Sequence, residues 1–131
     1  MVSFMKNIKK YFINIVIITC YLFLSSCAGP AVKKLQNMTK TSDRFNELLA
    51  QEYLRFAEFE MTEMYDEIDA MYFANKGITA LNMGNVMPEN PNNWNIPVEA
   101  LPEILASYKV LKQLITKQNI LNYPVFLAKA Q

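Results

Sequence analysis

The densest grouping of side chains that could do chemistry is acidic: Glu58, Glu60, Glu63, Asp66, Glu67 and Asp69. At helical spacing Glu60, Glu63 and Glu67 share one face, and so do Asp66 and Asp69. Carboxylates placed in this way can hold Ca²⁺ or work as an acid and a base. The chain has no His, so the Glu and His pairing of a di-iron bundle site is not open to it, and the spacing is not that of an EF-hand loop. These residues read as a solvated acidic face, with a docking face for a basic partner as the alternative. Gly77 and Gly84 do not make a phosphate loop, and the Ser and Thr residues have no base to activate them. Met61, Met64 and Met71 read as core filler rather than as a promiscuous groove. No enzyme, cofactor or metal is expected. The chain has 131 residues with 13 Lys+Arg against 12 Asp+Glu, which bounds it to one small domain and argues against a nucleic-acid partner.

The two cysteines, Cys20 and Cys27, are too few for a disulfide framework or a four-cysteine zinc site. Their surroundings say more. Lys6, Lys9 and Lys10 form a positive start, with Met1 or Met5 as the first residue. Tyr11 to Leu24 is apolar apart from Asn14 and Thr19, and small residues follow. This is the layout of a secretory signal peptide, and the apolar run is shorter than the ~20 residues of a membrane-spanning helix. Leu24-Ser25-Ser26-Cys27 resembles the lipobox of bacterial lipoproteins. That resemblance implies a diacylglyceryl group on the Cys27 thiol and cleavage just before it, so that residues 1–26 are signal peptide. Cys20 reads as an apolar filler of the run. Loss of Lys6, Lys9 and Lys10 leaves a mature chain with an acidic excess, and the lipid consumes its only thiol. Ala28 rather than Asp follows the cysteine, which by the sorting convention of enteric lipoproteins implies the outer membrane, with the inner membrane as the alternative.

Downstream, residues 27–41 read as the lipidated cysteine and a tether. Ala28 to Thr41 contains Gly29, Pro30 and three lysines without sustained periodicity, and would reach at most about 50 Å when extended. Residues 42–131 read as a helical domain. Ser42 or Asp43 can cap a helix. Phe45, Leu48, Leu49, Tyr53, Phe56, Ala57, Phe59 and Met64 then form an apolar stripe. The pattern continues through Ile68, Met71, Tyr72, Ala74, Ile78 and Leu81 after a phase shift near Tyr65-Asp66. Two antiparallel helices over 43–64 and 66–82 follow, with one kinked helix as the alternative. Gly84 is a natural stop. The Pro- and Asn-rich stretch from Gly84 to Pro97 reads as a loop, pinned by Val86, Met87, Trp94 and Ile96. Trp94 is expected to pack rather than to meet a partner. A third helix over 101–118 is predicted to bury Leu101, Ile104, Leu105, Tyr108, Leu111 and Ile115, with Pro102 in its first turn. Tyr123-Pro124 restarts a helix whose residues Val125 to Leu127 are expected to be poorly covered. No strand pattern appears. The fold class is all-α, a bundle of three to four helices after the signal peptide.

Phe45, Glu52-Tyr53, Ala57, Glu63-Met64-Tyr65-Asp66, Asp69-Ala70, Phe73-Ala74-Asn75-Lys76, Gly84, Pro88-Glu89-Asn90-Pro91, Trp94 and Pro97 together resemble the N-terminal helical region of OmpA-family lipoproteins, best known from alphaproteobacteria. The resemblance spans about residues 24–131. It implies a non-catalytic envelope lipoprotein whose family members bind peptidoglycan through a C-terminal domain. That domain has no counterpart here, so direct peptidoglycan binding is not expected, and a remnant of a split gene is one reading. Gly77 stands where the family tends to have Ala, a change that weakens a helix by roughly 1 kcal/mol. The helical pair also resembles one tetratricopeptide repeat, which implies a partner-binding adaptor as the alternative function. Self-association, or a partner helix supplied in trans, is the expected way to cover the remaining apolar surface.

Overall fold

The computed structural model describes residues 28–38 and 41–131. Along them run α1 (Ala28–Asn37), α2 (Arg44–Thr62), α3 (Glu67–Leu81), a 3₁₀ turn (Pro91–Asn93), α4 (Leu101–Leu114), α5 (Lys117–Asn122) and α6 (Pro124–Ala130). The segments read as signal peptide and lipobox, and Cys27, lie outside the described residues. Among those described the chain is all-helical, with more and shorter helices than the three to four expected.

Two acidic caps set the spine. The Asp43 carboxylate accepts from the Asn46 amide at 2.8 Å at the head of α2. Asp66 accepts from the Ile68 and Asp69 amides, both at 3.0 Å, at the head of α3. Each supplies an acceptor to amides that have no partner inside the helix. Between the two helices Tyr65 takes a left-handed conformation (φ 56°), and the Asp66 amide reaches back to the Glu60 carbonyl at 2.8 Å. The result is a tight hairpin rather than one kinked helix. At the far end of α3 the left-handed residue is Met83 (φ 57°), one position before Gly84. Its amide donates to the Ala80 carbonyl and that of Gly84 to the Thr79 carbonyl, both at 2.9 Å, which satisfies carbonyls the helix end leaves free.

The core gathers Val32 and Leu35 from α1, Phe45, Leu49 and Tyr53 from α2, Phe73 and Ile78 from α3, and Leu127 and Ala128 from α6. Small residues line its seams. Ala57, Ala70, Ala74 and Ala80 are fully enclosed, and α1 passes so close over α3 that a Cβ on Gly77 would stand 2.5 Å from Leu35 Cδ2 and 3.3 Å from the Ala50 carbonyl oxygen. A side chain at 77 would therefore require Leu35 to shift, so packing as well as helix propensity bears on this position.

Five expectations need correction. The segment read as a tether is helical over Ala28–Asn37 and contributes Val32 and Leu35 to the core. The apolar stripe of the hairpin is broader than the surface that α1 and α6 cover, so Phe56 is 43 % exposed, and Met64 and Ile68 are exposed as well. The third helix ends at Leu114, because the extended Thr116 turns the chain and caps α5 by accepting from the Asn119 amide at 3.2 Å. None of the residues of α4 is buried: its period defines a face, and nothing among the described residues closes over that face. In α6, Val125 and Phe126 are exposed as expected, but Leu127 is buried against α2. No helix among the described residues is long and apolar enough to cross a membrane.

Candidate functional site

The side chains that converge are not the acidic run but a node where the loop after α3 meets the hairpin. Tyr72, Phe73 and Lys76 project from α3, and Tyr53 and Phe56 come from α2. The loop contributes Glu89 and Trp94, and the flanking prolines Pro88 and Pro91 are both buried. Proline fixes φ and lowers the entropy lost when such a loop is ordered. Trp94 stacks on Phe73 at 5.7 Å and meets Tyr72 edge-on at 6.1 Å. Phe73 also stacks on Tyr53 at 6.2 Å and takes the edge of Phe56 at 4.6 Å. Trp94 thus packs as a peg, as its sequence context implied.

Glu89 is the polar centre. Its carboxylate accepts from the Tyr72 hydroxyl at 3.0 and 3.2 Å, from Trp94 Nε1 at 3.3 Å and from the Lys76 ammonium. Lys76 also donates to the Met87 carbonyl at 3.0 Å and lies 5.0 Å above the Tyr53 ring. Burial works against the charge on Lys76. The bond to Glu89 and the neighbouring Tyr53 hydroxyl more than offset it, so the ammonium is held above the usual lysine range. Burial, then the hydrogen bond to Glu89, raises the Tyr72 phenol. With its oxygens taken by three donors and its charge matched by Lys76, Glu89 is placed to fasten the loop rather than to move a proton. Beside the node a recess of about 280 Å³ is lined in part by Tyr53, Phe73, Glu89 and Gln131. Gln131 Oε1 is buried there with no hydrogen-bond partner among the described residues.

The acidic residues are spread over separate tasks. Glu58 accepts from Gln36 Nε2 at 2.7 Å and so links α2 to α1. Asp66 is the cap of α3, and Glu63 and Glu67 are exposed. Glu60 is pushed above the usual carboxylate range, first by burial and then by the charges of Asp69 and Asp66. Among the described residues no three His, Cys, Asp or Glu side chains come together as a metal site. Met61 and Met71 are half-buried, whereas Met64 is exposed. Sequence reasoning assigned no role to Glu89 or Lys76. The signal that could have found Glu89 is its position in Pro88-Glu89-Asn90-Pro91, a charged residue held between prolines.

No protein-family model, curated protein or solved structure matches the chain.

Proposed function

We propose that this chain is a lipid-anchored, non-catalytic protein of the bacterial cell envelope, held in the outer membrane through Cys27 and facing the periplasm, where it has a structural or interaction role. The observation that carries this reading is Leu24-Ser25-Ser26-Cys27 at the end of a short apolar run that begins after Lys6, Lys9 and Lys10. The likeness to the helical region of OmpA-family lipoproteins supports the same reading. Two or more acyl chains make such an anchor stable, where one would be marginal.

The fold adds a geometric consequence. Ala28 is already the first residue of α1, and Val32 and Leu35 of that helix are in the core. A lipid on Cys27 therefore meets the domain with no slack between them, and the domain rides against the leaflet rather than up to about 50 Å above it. Labelled palmitate tests the anchor. Wild-type protein should take up the label and Cys27→Ser should not; equal labelling of the two would refute the reading.

A further inference from the structure

A second recess, of about 290 Å³, opens between the hairpin and its loop, and its walls combine aromatic rings with carboxylates. Phe56, Phe73 and Trp94 line it as one array, Phe73 stacking on Trp94 at 5.7 Å and taking the edge of Phe56 at 4.6 Å. Glu60 of α2, Asp69 of α3 and Glu89 of the loop are the charged residues of the lining. Glu89 is engaged by Tyr72, Trp94 and Lys76. Glu60 and Asp69 are half-buried, and among the described residues neither is ion-paired with a lysine or arginine. An adjoining recess of about 360 Å³ shares Asp69, Glu89 and Trp94 with the first, so Asp69 and Trp94 stand where the two meet.

The lining selects the guest. Ring faces attract a cation placed over them, and two free carboxylates call for positive charge. Burial, then the charges of Asp69 and Asp66, hold Glu60 above the usual carboxylate range, as carboxylates crowded together without a cation must be. The surroundings agree: from Phe56 to Asn75 the chain has six acidic residues and no Lys or Arg. A guanidinium suits both halves of the site, since its plane stacks on aromatic rings and its fork of donors matches carboxylates. Sites for free small molecules bury about 70–90 % of the ligand, which an open recess does not do. A side chain needs only its end covered, because its backbone stays on the partner. Phe59, stacked on Phe56 at 6.3 Å and 45 % exposed, extends the apolar surface on which the rest of a partner can lie. We propose that this recess is a docking site for an arginine side chain of a basic partner protein, its guanidinium set against the aromatic array and paired with Glu60 and Asp69. The proposal gives the interaction role above a partner chemistry and rests on that role but not on the anchor.

The described core runs from Val32 to Ala128, so residues 28–131 carry their own fold and can be titrated without the lipid. Trp94 is the only tryptophan of the chain, and its fluorescence reports on the recess directly. A capped peptide of alternating Arg and Ala should change that fluorescence saturably, and the same peptide with neutral citrulline in place of Arg should not. Glu60→Gln/Asp69→Asn should bind the Arg peptide at least about tenfold more weakly, with an unchanged helical circular dichroism spectrum. Glu63→Gln/Glu67→Gln removes the same charge from exposed positions outside the recess and should weaken binding by less than about threefold. No saturable change with the Arg peptide, an equal response to the citrulline peptide, or equal losses in the two double variants would overturn the proposal. So would N-ethylguanidinium binding as tightly as the peptide, which would assign the recess to a free small cation. Palmitate labelling is independent of every one of these outcomes, so the anchor and the docking site can fail separately.

Discussion

Glu89 fastens the loop to α3: its partners are Tyr72 and Lys76 on the helix and Trp94 within the loop itself. Glu89→Gln keeps the shape but removes the charge that Lys76 faces in a largely enclosed position. Hydrogen bonds to charged groups contribute about 1.5–3 kcal/mol, so the variant should lose roughly 2 kcal/mol in urea unfolding. The pH profile carries the same information. The folded-state pKa of Lys76 is raised, so the stability it adds is fully present below the ordinary lysine value and fades as pH rises through the folded-state value. Wild type should show that alkaline fall, and Glu89→Gln should show a shallower one. Equal stability in the two proteins would mean that Trp94 and the prolines hold the loop without the ion pair. Trp94 was legible as a peg because a lone Trp in a Pro- and Asn-rich loop has few other uses. Glu89 was not, because its charge partner is on another element and no spacing rule links positions so far apart.

Helices α2 and α3 were legible because each level of the sequence agrees: an acidic cap, a long apolar stripe at helical period and a stop beside Gly84. α1 was not. It buries only Val32 and Leu35, one step of a period, and Gly29, Pro30 and adjacent lysines mask even that. The stripe of α4 was read correctly as a face and wrongly as buried, since periodicity says which side is apolar but not what covers it. Gly77 shows how packing can override propensity. By propensity Gly77→Ala should stabilise α3 by roughly 1 kcal/mol. Instead the new methyl meets Leu35 and the Ala50 carbonyl, and overpacking typically costs ~1–3 kcal/mol. The variant should melt at a lower temperature than wild type. A higher melting temperature would show that α1 gives way and is only loosely docked.

The described residues form a hairpin braced by α1 against α3 and by α6 against α2, with α4 standing clear of the core. The proposed lipid would enter at the head of α1. The domain's helical class could be read from the chain, whereas the uncovered state of the α4 face became visible only in the packing of the described residues.

The mass of the mature protein tests the proposed lipid anchor most directly. Intact-mass and N-terminal peptide spectra of the protein extracted from its native membranes should show Cys27 as the first residue, carrying a thioether-linked diacylglycerol. A mature chain that starts elsewhere, or a Cys27 with a free thiol, would contradict it.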